Sequence, residues 1–146
     1  MRRSGMVAFA AVLAGGLLGA CGGDGDGAKE ANVTLTDYEL QAPARLGAGR
    51  VTFVARNKGT FVHEIALVKS DLAPGQLPRD DEGLFDERGR GVQFVDEVED
   101  IDPDTSARLS VDLDPGQYVL LCNKPAEPGD PQSHFQHGMY SKLTVT

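Results

Sequence analysis

The chain has 146 residues, 22 acidic against 14 Lys and Arg side chains, and a formal net charge of -8. That balance excludes nucleic-acid binding driven by phosphate charge. With two cysteines, three histidines and no tryptophan, few side chains are left to carry chemistry.

The first stretch, Met1 to Cys21, reads as an export signal. Arg2 and Arg3 form a positive start, and Met6 to Leu18 is almost wholly apolar. The apolar run is short for a membrane span, and small residues crowd its end. Leu18-Gly19-Ala20-Cys21 looks like a bacterial lipobox, in which cleavage before the cysteine leaves a lipid-modified N-terminus. The alternative is an ordinary secretory signal with a coincidental cysteine. Gly22 to Ala31, GGDGDGAKEA, lacks apolar periodicity and is rich in Gly and Asp, as a flexible tether is. Fully extended, about ten residues span on the order of 35 Å, enough to let a domain swing clear of a membrane. The plan is therefore a lipoprotein signal peptide over 1–20, a tether over 21–31 and one domain over 32–146. Loss of Arg2 and Arg3 with the signal takes the charge from -8 to -10, because every acid lies after Cys21. Such a protein attracts a basic partner.

Strand signals recur through the domain, and helical periodicity does not. Val33 to Leu40, Arg50 to Arg56 and His63 to Lys69 are β-forming. Ala107 to Leu113 alternates, with Leu109, Val111 and Leu113 on one face and Arg108, Ser110 and Asp112 on the other. Pro43, Asn57-Lys58-Gly59 and Asp114-Pro115-Gly116 break these runs. Short strands separated by turns indicate an all-β sandwich or barrel. Leu113-x-Pro-Gly-x-Tyr118 resembles a tyrosine corner, whose hydroxyl bonds back to the backbone. Between these strands, Ser70 to Asp104 reads as one long irregular excursion holding PRDDEGLFDERGRG and DEVEDIDPD. A solvated excursion is the plainer interpretation, and a docking face the sharper one. No EF-hand spacing supports calcium there.

The closing stretch gathers the chemistry. Cys122 ends the apolar run Tyr118 to Leu121, and Tyr118, Leu120 and Cys122 share one strand face. His134, His137 and Met139 follow on a Gly- and Pro-rich return, and Lys142 to Thr146 alternates again as a closing strand. If Cys21 carries lipid, Cys122 is a lone thiol in an oxidising space, which metal ligation explains better than chance burial. Thiolate, imidazole and thioether on one loop are the donors that select copper, above all Cu(I). His63 is the candidate for a second imidazole.

NKGTFVH (57–63), YVLLCN (118–123) and HFQHGMY (134–140) together resemble the cupredoxins, the type 1 blue copper proteins, and among them the exported sulfocyanin-like and plastocyanin-like forms. The resemblance covers roughly 33–146. It implies a Greek-key β-sandwich or barrel with a long acidic loop insertion, and one type 1 copper ion. It also implies His63, Cys122 and His134 as strong ligands, with Met139 as the weak axial one. Asn57 and Gly59 would shape the turn into His63, and Gly138 the turn into Met139. Two departures stand out. KPAEPGDPQS lengthens the gap between Cys122 and His134. Glu64 occupies a position, often Asn, that ties the two ligand loops together. Strand alternation points Glu64 away from His63, to the surface or the outskirts of the site.

His134 and His137 compete for one role. Four residues separate His134 from Met139, which leaves room to turn and return, whereas only Gly138 separates His137 from Met139. The resemblance also places the ligand at the first of the two. The implied function is electron transfer outside the cytoplasm by a monomeric, membrane-tethered carrier that is not an enzyme. Its partner would be a redox protein such as a basic c-type cytochrome or an oxidase. The competing functions are a copper chaperone or store, a Cys–His nucleophile and a zinc site. The second lacks an orienting third group, and zinc has little use for Met139.

Overall fold

A computed structural model describes residues 27–125 and 127–146. The signal, Cys21 and most of the tether lie outside the described residues. Among the described residues nine strands follow in order: β1 (Lys29–Thr36), β2 (Glu39–Gln41), β3 (Arg45–Leu46), β4 (Gly49–Asn57), β5 (His63–Lys69), β6 (Gln93–Ile101), β7 (Ser106–Leu113), β8 (Gly116–Leu121) and β9 (Tyr140–Val145). They form a four-stranded sheet, β2-β1-β4-β7, and a five-stranded sheet, β3-β9-β8-β5-β6. Both sheets are mixed, with β1 parallel to β4 and β3 parallel to β9. No helix among the described residues is long and apolar enough to cross a membrane.

The alternating residues build the space between the sheets. Leu109, Val111 and Leu113 of β7 meet Val51, Phe53 and Ala55 of β4, Ile65 and Leu67 of β5, and Tyr118 and Leu120 of β8 in one core. Burying each large side chain contributes about 1.5–3 kcal/mol. The tyrosine corner is present: the Tyr118 hydroxyl donates to the Asp114 carbonyl at 2.9 Å.

Three stretches depart from the sequence expectations. β1 begins at Lys29, so its first residues reach back into the span assigned to the tether, and Ala31 packs in the core. The run Val33 to Leu40 is not one strand. It breaks at Asp37-Tyr38 into a hairpin that pairs Leu35 with Leu40, and Tyr38 takes a left-handed φ of 66°. Asp37 is its one usual turn residue, and a Tyr rather than a Gly or Asn takes the left-handed position. Third, the acidic stretch Ser70 to Asp104 is not wholly irregular, because β6 occupies its second half as an edge strand.

β6 hid from the hydrophobic pattern because its acids face outward. Asp96, Glu99 and Asp100 are exposed, while Phe94, Val95 and Val98 are half-buried. The β5–β6 register slips twice, each time with an extra residue on β6, and Asp100 sits at one slip with a φ of 51°. Charges and bulges on an edge strand discourage pairing with another chain. The first half, 70–92, is not a solvated excursion. It folds over the outer face of the five-stranded sheet, where Leu77 and Phe85 are buried against Ala66, Val68, Val119, Leu121 and Phe135. Several of its acids serve its own turns: the Asp80 carboxylate accepts the Glu82 and Leu84 amides, both at 2.9 Å. β5 is thus buried on both faces, which is why HEIALVK reads as a continuous run rather than an alternation.

Candidate metal centre

β5 and β8 are neighbours in the five-stranded sheet, with Ala66 opposite Leu121. His63 opens β5 and Cys122 follows β8, so both emerge at the same end of the sheet. Met139 precedes β9 by one residue, and the Cys122 amide donates to its carbonyl at 3.0 Å. His134 comes from the return loop, with its amide bonded to the Lys124 carbonyl at 3.0 Å. The Met139 amide in turn donates to the His134 carbonyl at 3.1 Å, closing a tight turn. Gly138 in that turn has a φ of 91°, a conformation that side-chain-bearing residues rarely adopt.

Three donor atoms converge. His134 Nδ1 lies 3.4 Å from Cys122 Sγ, His63 Nδ1 lies 3.8 Å from the same sulfur, and the two Nδ1 atoms are 3.1 Å apart. His63, Cys122, His134 and Met139 are all 0% exposed. Burial pushes the Cys122 thiol up to about 12, so without a metal it keeps its proton. Burial lowers both imidazoles below their usual range, and in His63 the neighbouring His134 adds to the effect. Both rings are therefore neutral near pH 7, with a lone pair free to ligate. A buried soft sulfur with two neutral imidazole nitrogens, close enough for one ion to bridge, fits the donor set of a copper site.

The turn into His63 is fixed by a buried amide. Asn57 Nδ2 donates to the carbonyls of Phe61 at 2.7 Å and Ile101 at 2.8 Å, while its Oδ1 accepts the Gly59 amide at 2.8 Å. Gly59 is required by space, since a Cβ there would strike the Asp37 carboxylate and come within 3.1 Å of His63 Nε2. Asp37 ties the same turn down through the Thr60 amide and hydroxyl and the Phe61 amide, at 2.7, 2.8 and 3.2 Å. Desolvation opposes its charge, but the hydrogen bonds from Thr60 and Phe61 win and hold its carboxyl below the usual value. Its Oδ1 stands 3.6 Å from His63 Nε2.

Glu64 points away from His63, as alternation requires, but into the protein rather than to the surface. Its Oε1 accepts the Asn123 amide at 2.9 Å, so it joins the loop of the first histidine to the loop of the cysteine. A carboxylate thus makes the tie at the position where the resemblance led us to look for an amide. Burial pushes its carboxyl up to about 7, partly offset by Lys124 and the Asn123 amide. Asn123 also holds the outer cover, its side chain accepting the Phe85 amide at 2.6 Å and donating to the Phe85 carbonyl at 3.1 Å.

His137 stands apart from the three donors. Its Nε2 is 2.8 Å from Asp130 Oδ2, and its ring stacks on Tyr38 with centroids 4.0 Å apart. Tyr38 in turn stands edge-on to His134, centroids 5.3 Å apart. Sequence reasoning missed Asp37, Tyr38 and Glu127 around the histidines. Each reaches the site through a turn or an insertion, where no periodicity reports which way a side chain faces.

No protein-family model matches the chain, and neither does any curated protein. Solved structures do. Auracyanin from Roseiflexus castenholzii, reduced with sodium dithionite, superposes with a TM-score of 0.59 at 20% identity, over 82% of this chain and 99% of that one. Reduced rusticyanin gives 0.55 at 17% identity, over 84% and 85%. Rusticyanin from Thiobacillus ferrooxidans gives 0.54 at 16%, over 84% and 83%. At such identities the likeness speaks for the fold, and that fold is the cupredoxin β-sandwich.

Proposed function

We propose that this cupredoxin-fold chain is a type 1 copper protein that carries single electrons and catalyses no reaction of its own. The observation behind this is the convergence of His63 Nδ1, His134 Nδ1 and Cys122 Sγ in a site closed to solvent. Copper bound there would supply one-electron exchange between Cu(I) and Cu(II). We assign His63, Cys122 and His134 as strong ligands and Met139 as the axial one.

The chain's own part is to hold the donors in place before an ion arrives. Two strand ends and a tight turn supply them, so little rearrangement accompanies uptake. Cys122 gives up its proton on ligation, and each neutral imidazole would ligate through Nδ1 with its ring proton on Nε2. The surrounding core excludes water. Two of the structures it resembles were solved in reduced form, in keeping with redox proteins. A chaperone that hands Cu(I) onward needs a ligand its acceptor can reach, and these four side chains are buried.

The domain would be monomeric and anchored outside the cytoplasm by lipid on Cys21, with 1–20 removed and residues from 21 as a tether. A basic c-type cytochrome or an oxidase suits its acidic surface. The test is the absorption spectrum of the Cu(II)-loaded domain. Intense thiolate-to-copper charge transfer in the visible is expected. A colourless protein that binds Cu(I) alone and passes it readily to an acceptor would establish the chaperone instead.

A further inference from the structure

The two imidazoles of the site are not held alike. His63 Nε2 is buried and has no hydrogen-bond partner among the described residues. Asp37 is its nearest carboxylate, at 3.6 Å, and is already engaged by Thr60 and Phe61. His134 Nε2, by contrast, is 3.1 Å from Glu127 Oε1. Glu127 belongs to KPAEPGDPQS, the segment that lengthens the path from Cys122 to His134. The His134 side chain is 0% exposed and that of Glu127 is 29% exposed, so the carboxylate sits between the ring and solvent.

The segment is braced where it carries Glu127. The Asp130 amide closes a turn onto the Glu127 carbonyl at 2.9 Å. The Asp130 carboxylate accepts from the Tyr38 hydroxyl at 3.2 Å and lies 2.8 Å from His137 Nε2. Tyr38 is presented from the hairpin turn in which its own backbone is left-handed. A bulky residue in that region is held there by its surroundings, and such strain gathers at functional sites.

We propose that Glu127 is the positioning residue for His134, fixing its tautomer and setting the reduction potential of the site. This rests on the copper reading above. A neutral imidazole carries one ring proton. With that proton on Nε2 and donated to Glu127, the lone pair is on Nδ1, which faces Cys122 Sγ and His63 Nδ1. Carboxylates behind metal-bound histidines commonly set the tautomer and strengthen the ligand. A negative charge in a water-poor site also favours the more positive oxidation state of the ion. The extension in the ligand loop therefore brings a carboxylate within hydrogen-bond distance of one imidazole, whereas the carboxylate beside the other, Asp37, stands off at 3.6 Å.

Two variants separate charge from hydrogen bond. Glu127→Gln keeps a carbonyl acceptor but loses the charge, whereas Glu127→Ala loses both. In the metal-free protein, imidazole nitrogen NMR should show His134 as a single Nε2–H tautomer in the wild type and in Glu127→Gln. It should show a mixture in Glu127→Ala. In the copper-loaded protein at one pH, both variants should lower the Cu(II)/Cu(I) ratio at fixed poise about tenfold, a rise of 59 mV for a one-electron couple. A single unchanged tautomer in Glu127→Ala, or a potential unmoved in both variants, overturns the proposal. If the wild type gives no intense visible band with copper, the function reading fails. The metal-free tautomer measurement then decides Glu127 alone.

Discussion

The proposed copper site has a sheet-held half and a loop-held half. His63 and Cys122 stand at the ends of β5 and β8, two strands joined by a regular ladder that also carries Ile65, Leu67 and Leu120 into the core. His134 and Met139 belong to a connection from 123 to 139 with no strand among its described residues. That half is held by separate tethers: the Lys124 carbonyl on His134, the clasp of Asp130 by Tyr38 and His137, and Phe135 seated 6.2 Å from Phe85 and 5.6 Å from Tyr140. Some of these tethers are local, and two come from residues remote in sequence, Tyr38 and Phe85. A ladder places a donor through many repeated bonds, whereas a loop depends on a few contacts that each count.

The largest effect expected falls on the loop half. His134→Ala should abolish the visible band and weaken Cu(II) binding more than the roughly 10–100-fold typical of changes one shell further out. His137→Ala should keep the band, because its ring meets Tyr38 and Asp130 rather than the three donors. Copper titration followed by visible absorption checks both. Colour lost with His137 and kept without His134 would mean that the long connection has shifted its register on metal binding.

The same division decides what the sequence made legible. Period-two alternation identified β7, and parity put Tyr118, Leu120 and Cys122 on one face, because a buried strand face leaves a mark at every second residue. The four residues between His134 and Met139, together with the resemblance, favoured His134 over His137 as the ligand, and that choice stays a proposal until the two variants above are compared. The hairpin at Asp37-Tyr38 gave only the weak sign of a single Asp, since a left-handed Tyr is not a turn signal. β6 gave none either, because an edge strand facing solvent with acids looks like a charged loop. The orientation of Glu127 depends on a braced insertion, and no local pattern encodes it.

A smaller effect, on stability, tests how the two halves share a cover. Phe85, part of the 70–92 cover, is buried against Phe135, while its backbone is gripped by Asn123 beside the cysteine. Phe85→Ala should cost about 3–5 kcal/mol by urea denaturation. The visible band should survive, since the grip on the loop uses backbone atoms. A loss below about 1 kcal/mol would return this segment to the status of a solvated excursion.

The smallest effect expected lies at Glu64, which spans the two halves by bonding the Asn123 amide from the residue after His63. Its carboxyl has an ordinary value of 4.5 and is pushed up to about 7 in the fold, with burial outweighing the help of Lys124 at 3.7 Å. The native state therefore holds a proton that the unfolded chain releases earlier as pH rises. The stability that Glu64 contributes is full below about pH 4.5 and is lost as pH climbs through about 7. Between these limits the loss is on the order of 3 kcal/mol. Glu64→Gln keeps an acceptor for the Asn123 amide and has no proton to lose. In the metal-free protein, the stability of this variant relative to wild type should thus rise between pH 5 and 8. Subtracting one curve from the other removes groups that titrate alike in both. Denaturant melts across that range check it: a flat or falling difference would mean that Glu64 is charged in the fold at low pH, with Lys124 rather than burial governing it. The bridge between the halves would then be an ion pair instead of a neutral hydrogen bond.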